Sequence, residues 1–221
     1  MGLDMYLMRA PKYKNTTIRQ IDELDSYFNY MSREDAQKYT LKEWCGIDET
    51  DLPDLETQMY YKEHCTIKYP SWDIEHNYGS HRIIEDVGYW RKANAIHKWF
   101  VDNVQNGEDD CGIYEVSRAH IEVLLGLCKL VKEHSKLVPG KVIDCYKYVD
   151  GQKIPQYEEG EVIEDPSVAQ MCLPTQPGFF FGGLEYDDWY LDGIDKTIEI
   201  LEKVLEETDF DTQMIAYQSS W

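Results

Sequence analysis

Positive charge is scarce in this chain. Among its 221 residues, 22 Lys and Arg stand against 42 Asp and Glu, a formal net charge of −20. That balance disfavours nonspecific binding to DNA or RNA, whose phosphates need cationic neutralisation. Long apolar runs are also missing: nothing approaches the roughly eighteen residues that a membrane span requires. The opening, MGLDMYLMRAPKYKNTT, has no basic segment, apolar segment or small-residue cleavage site of a secretory signal. Its Met-Gly start invites a myristoylation reading, but that pattern wants Ser or Thr at position 6, where Tyr6 stands. A cytoplasmic protein without a membrane partner is the expectation.

Other absences narrow the class. The cysteines, Cys45, Cys65, Cys111, Cys128, Cys145 and Cys172, never form a C-x-x-C pair, which suits free and mostly buried thiols in a reducing compartment. There is no glycine fingerprint of a dinucleotide fold, no internal repeat, no heptad array and no low-complexity tract. The 43% hydrophobic content is enough for a real core. One domain over 1–221 is predicted, with a loop-rich insertion around 47–82 and an acidic hairpin and loop around 146–168.

Periodicity supplies the elements. LDMYLMRA alternates Leu3, Met5 and Leu7 against Asp4, Tyr6 and Met8, so the chain opens with a strand. Helical spacing follows through TTIRQIDELDSYFNYM. A second helix is predicted from a cap at Ser32, with Asp35 three residues on, to Gly46. Tyr89, Ala93, Ile96, Phe100 and Val104 predict a helix over 89–107, stopped by Asn106-Gly107, and IYEV predicts a short strand. Ser117 caps a further helix with a stripe of Ile121, Leu124, Leu125, Cys128 and Val131. KYVDGQKIPQY predicts a hairpin around Asp150-Gly151, and EEGEVIEDP an acidic loop. A final helix begins at DDWYLDG, and FDTQMIAYQSSW closes the chain as a strand. The class is α+β, with a mixed or largely antiparallel sheet, N- and C-terminal strands within it, and about four to five helices.

Four constellations carry candidate chemistry. In EDVGYWRKANAIH, Tyr89 and Trp90 beside Arg91, Lys92 and His97 are equipment for stacking a base and holding phosphate. Asp109 and Asp110 in GEDDCG could orient a histidine, bind a hard cation or accept ribose hydroxyls, with Cys111 a candidate nucleophile. Asp pairs are also common in turns for local hydrogen-bonding reasons. Cys45, His64, Cys65, His76 and His81 are zinc-type ligands at loose, irregular spacings, and neither a metal nor another cofactor is expected. Last, LPTQPGFFFGG spends half of the six phenylalanines between glycines. The simplest reading is a strand buried on both faces, with Gly178, Phe179, Phe181 and nearby Tyr186 as the alternative wall of a pocket.

Charge is unevenly spread. From Met5 to Ile21 there is no acid but Arg9, Lys12, Lys14 and Arg19, and from Arg118 to Lys153 seven Lys and Arg face four Asp and Glu. Local positive patches on an acidic body would admit a small anion while repelling a polyanion.

MGLDMYL, EWCG, WDIEHNYG, EDVGYWRKANAIHKWFVDNVQNGEDDCGIYEVS, LPTQPGFFFGG, YDDWY and the terminal YQSSW together resemble an uncharacterised family of accessory proteins carried by tailed bacteriophages and prophages of gut bacteria. The likeness runs over essentially the whole chain. It implies an origin in an infected bacterial host and the cytoplasm as the compartment, and it supplies no catalytic residue. It also implies a context of countering host defence, for which one known strategy is to sequester a nucleotide signal. The leading expectation is therefore a phage-encoded protein that binds a small nucleotide-like or phosphorylated signal. Two alternatives stay open: a metal-dependent hydrolase or phosphodiesterase using His97 and the Asp pair, and an acidic inhibitor of a host defence protein. A homo-oligomer with a pocket across a symmetric interface fits the first expectation as well.

Overall fold

The computed structural model describes residues 2–31, 38–67, 81–149, 152–178 and 180–221. It is α+β. The main sheet has four strands in the order β4-β1-β8-β5, all antiparallel neighbours: β1 (Asp4–Pro11), β4 (Glu85–Arg91), β5 (Tyr114–Val116) and β8 (Gln213–Ser220). The N- and C-terminal strands are thus the two central ones. Met214, Ile215, Ala216 and Tyr217 of β8 are buried in succession, which requires cover on both faces of the sheet.

Helices supply that cover. One face packs on α4 (Asn94–Asn103), α5 (Arg118–His134) and α7 (Asp188–Glu207), where Leu3, Met5, Leu7, Trp90 and Tyr217 meet Ile96, Phe100, Leu124 and Leu201. The other packs on α1 (Ile18–Met31) and α3 (Leu55–His64), where Met8, Ala10 and Ala216 meet Ile21, Leu24 and Tyr61. Asp25 of α1 accepts from the backbone amides of Ile83 (2.6 Å) and Ile84 (3.3 Å), fixing a buried carboxylate at the entry to β4. Two short helices, α2 (Leu41–Cys45) and α6 (Ser167–Cys172), and two further antiparallel pairs complete the described elements. The small pair is β2 (Thr66–Ile67) with β3 (His81–Arg82), and the long one is the ribbon β6 (Leu137–Val149) with β7 (Gln152–Ile163).

Several local expectations need correction. Residues 89–92 do not open a helix. Tyr89 to Arg91 belong to β4, paired with β1 through Asp4↔Arg91, Met5↔Trp90 and Tyr6↔Tyr89. Lys92 then takes φ 59°, and only from Asn94 does the chain turn helical. The 3.6 spacing holds from Ala93 through Ile96 and Phe100, and Tyr89 fits it only by coincidence, its place being set by pairing with β1. The loop predicted around 47–82 contains α3, capped by Asp54 on the Thr57 amide. Only Thr57 and Tyr61 of it are buried, too few to register as a stripe.

In the same way, the acidic loop EEGEVIEDP is largely strand: the ladder runs from Val149↔Gln152 to Leu137↔Ile163. The predicted turn at Asp150-Gly151 and the Ser32–Asp35 cap lie outside the described residues; the helix that ends at Gly46, with φ 76°, begins only at Leu41, where Thr40 and Glu43 form its capping box. GFFFGG is no strand either. Phe180 sits at φ 61° and Gly182 at φ 103°, angles an extended run cannot hold. Of the cysteines, Cys128 alone is buried, and none of the six forms a disulfide.

Candidate functional site

The segment from β4 through α4 and its exit loop builds two polar arrangements of opposite character. The first lies on the open end of the sheet. Alternation along β4 sends Trp90 into the core at 1% exposure, its indole donating to Thr197 Oγ1 (2.9 Å), and leaves Tyr89 40% exposed. Trp90 is therefore a core residue, and of the two predicted stacking rings only Tyr89 meets solvent. Its phenol donates to Asp4 Oδ1, a bond that raises the phenol above its ordinary range, and the Tyr6 ring stands 5.4 Å away.

Cations gather around Tyr89. Lys196 of α7 places its Nζ 5.5 Å from the ring centroid, Arg91 shares the outward side of β4, and exposed Lys92 follows at the strand end. Arg91 Nε lies 4.0 Å from Asp4 Oδ1, a long contact on an exposed guanidinium. Elsewhere the basic runs are engaged. Arg9 meets Glu85 at 2.9 Å, Lys14 meets Glu56 at 3.0 Å, and Lys12 donates to the Phe210 carbonyl. On α5, Lys129 and Lys132 meet Glu202 and Asp195.

The second arrangement is buried. His97 is fully enclosed on α4, with Nδ1 2.7 Å from Tyr217 Oη and Nε2 3.0 Å from Asp109 Oδ2. A carboxylate only accepts, so Nε2 carries the proton and Nδ1 accepts from the Tyr217 hydroxyl. Asp109 Oδ1 accepts from the Trp221 indole (3.0 Å), completing a chain from tyrosine through histidine and carboxylate to indole. Burial drives the Tyr217 phenol well above its ordinary range, and its ring stacks on Phe100 at 4.0 Å. With both nitrogens engaged and no surface exposed, His97 positions its neighbours and presents no face to a substrate.

Phe181 packs edge-on against His97 (5.3 Å) and Trp221 (6.0 Å) at 4% exposure, whereas Phe180 is 55% exposed; Phe179 lies outside the described residues. Two glycines make this possible. A Cβ on Gly178 would fall 2.3 Å from the Phe181 ring, and one on Gly182 would fall 3.0 Å from the Lys92 carbonyl. Asn94 secures the same loop: its Nδ2 donates to the carbonyls of Phe181 (3.2 Å) and Gly183 (2.8 Å), and its Oδ1 accepts from Gln176 N (3.0 Å). The glycine-phenylalanine loop is thereby a cover over the histidine chain, held where a sheet neighbour would otherwise satisfy its backbone.

The remaining predicted residues divide. Asp110 does not join His97; it accepts from Gly112 N (2.8 Å) and Tyr114 Oη (3.0 Å), which hold its carboxyl below the usual range in a local turn. Tyr186 accepts from Thr175 N and packs on Tyr190, away from Tyr89. Among the described residues no group of three metal-type ligands converges. His64 is held by the Tyr60 carbonyl, Cys45 by the Leu41 carbonyl, burial pushes the Cys65 thiol up to about 11, and His76 lies outside the described residues. Sequence reasoning missed Asp4, Tyr6 and Lys196 around Tyr89, and Asn94, Tyr217 and Trp221 around His97. The alternation of Asp4 and Tyr6 on β1 was the one available signal for the first group. No helix of the described residues is long and apolar enough to cross a membrane.

No protein-family model, curated protein or solved structure matches the chain.

Proposed function

We propose that the protein is a binding module that captures a small phosphorylated, nucleotide-like molecule on the open end of its sheet. The observation that carries this reading is the exposed ring of Tyr89 with Lys196 over it and Arg91 beside it on the outward side of β4, in a body of net charge −20. An exposed ring supports a base by stacking, and a few cations suffice for a phosphate, while the acidic remainder repels a polyanion. The burial of His97 with both nitrogens occupied favours capture over hydrolysis. On this reading, which takes up what the resemblance to phage accessory proteins implies, capture withdraws a host immune signal in the cytoplasm of the infected bacterium.

Native mass spectrometry against a panel of cyclic and ADP-ribose-type nucleotides tests the reading. At least one member is expected to bind and to be released unchanged. Arg91→Ala and Tyr89→Ala should each weaken it by about tenfold, the scale of losing a charge-assisted bond or a stacking ring, with the fold intact. Absence of binding across the panel, or a folded Arg91→Ala protein with wild-type affinity, overturns the site. A converted product would make the protein an enzyme instead.

A further inference from the structure

The β6–β7 ribbon stands apart from the Tyr89 patch and from the histidine chain. Its strands of 13 and 12 residues extend roughly 40 Å at the usual strand rise, and beyond each other they meet the described protein chiefly at α7. The base is fixed: Ile163 N donates to the Tyr186 carbonyl (2.9 Å), and Val162 bridges Asp187. Pairing of Lys141↔Glu159, Ile143↔Tyr157 and Tyr146↔Pro155 puts Tyr157, Glu159 and Glu161 on one face with Tyr146. Tyr157 is 59% exposed, and Tyr146 is exposed as well. Glu185 and Tyr157 both act on the Tyr146 phenol, behind the leading effect of burial, so Glu185 lies near Tyr146. Two-stranded ribbons are marginal alone, and one that presents aromatic rings to water gains stability from a partner.

Charge decides what that partner is. From Ile154 to Asp195 the sequence contains ten Asp and Glu and no Lys, Arg or His, and on this face Lys141 and, near the tip, Lys153 are the cations of the ladder beside Glu159 and Glu161. A second copy of this chain, an anionic lipid surface and a nucleic acid would each meet like charge. We propose that this ribbon face docks an extended Lys- or Arg-bearing segment of another protein. The Tyr157 ring takes a cationic side chain face-on, and the flanking carboxylates pair with the others.

The test is fluorescence anisotropy of a labelled twelve-residue peptide of alternating Arg and Gly, with the Glu-Gly peptide as control. The Arg peptide is expected to bind and the Glu peptide not to. Tyr157→Ala, which leaves the charge unaltered, should weaken binding by about tenfold, as should Glu159→Gln with Glu161→Gln, a loss typical of a central interface residue. Neutralising Glu49 and Asp51, in the turn on the α1 and α3 side of the sheet, should change affinity by less than about twofold, the size of a screened distant charge. Binding that ignores Tyr157→Ala, or that falls equally with either acid pair, reduces the effect to bulk charge and overturns the proposal. No binding of the Arg peptide overturns it too. Because Tyr157 is largely exposed, its replacement leaves the fold in place as a valid background.

Discussion

The main sheet and the β6–β7 ribbon are both antiparallel ladders built from alternating sequence, yet they hold their residues by different means. In the sheet, β1 and β8 are covered on both faces, and both carboxylate oxygens of Asp25 and both ring nitrogens of His97 find hydrogen-bond partners. In the ribbon, Val142 and Ile163 are buried while Tyr146, Ile154 and Tyr157 face solvent. The lesson is that the backbone ladder alone does not set stability. Packing on both sides of the sheet does, and the surfaces free to recognise partners are those the packing leaves open: the Tyr89 end of the sheet and the outer face of the ribbon.

The sharpest way to break this contrast is to cut the buried chain. His97→Ala opens a cavity, leaves the Tyr217 hydroxyl without this partner inside the core and takes one of two partners from the half-buried Asp109 carboxylate, at a cost of about 3 kcal/mol or more. Its urea midpoint should fall accordingly, while Tyr157→Ala on the ribbon should stay within about 0.5 kcal/mol of the parent. Equal losses would place the ribbon in the same cooperative core as the sheet.

A smaller effect is expected at the glycine loop. Gly178→Ala pushes a methyl into the Phe181 ring, and overpacking of that kind costs about 2 kcal/mol. Thermal melting should show the loss, and a melting temperature unchanged from the parent would mean that the loop lies looser over His97 than its contacts imply.

The mildest change comes from alkali. Burial raises the Tyr217 phenol far above its ordinary range and pushes the Cys128 thiol up to about 12. The native state therefore keeps protons that the unfolded chain has released, so this contribution is intact below pH 9 and diminishes as pH climbs above it. Urea midpoints should hold steady between pH 7 and about 8.5 and decline by pH 10, the interval where unfolded thiols and phenols ionise. Tyr217→Phe with Cys128→Ala should flatten that decline.

Much of this architecture was legible in the sequence. The strand at Asp4–Pro11, the Ser117-capped α5 and the stripe of α7 follow from period and capping, because each buries a pattern that its own residues define, while the closing strand follows from its continuous apolar run. Around Tyr89, adjacency alone brought Arg91 and Lys92 into view. Lys196 was out of reach, since it arrives from a helix more than a hundred residues away.

Composition and pattern thus determined an acidic α+β chain whose two terminal strands enter its sheet. The tertiary structure decided whether consecutive residues serve the core or the surface. Tyr89 and Trp90 are neighbours of similar chemistry, and pairing with β1 sends one outward and the other inward. Phe180 and Phe181 are identical in kind, and the left-handed turn at Phe180, with Asn94 holding the carbonyls beyond it, buries only the second. Both outcomes depend on contacts made across the fold, where hydrogen bonds and close packing outweigh the local preference of the chain.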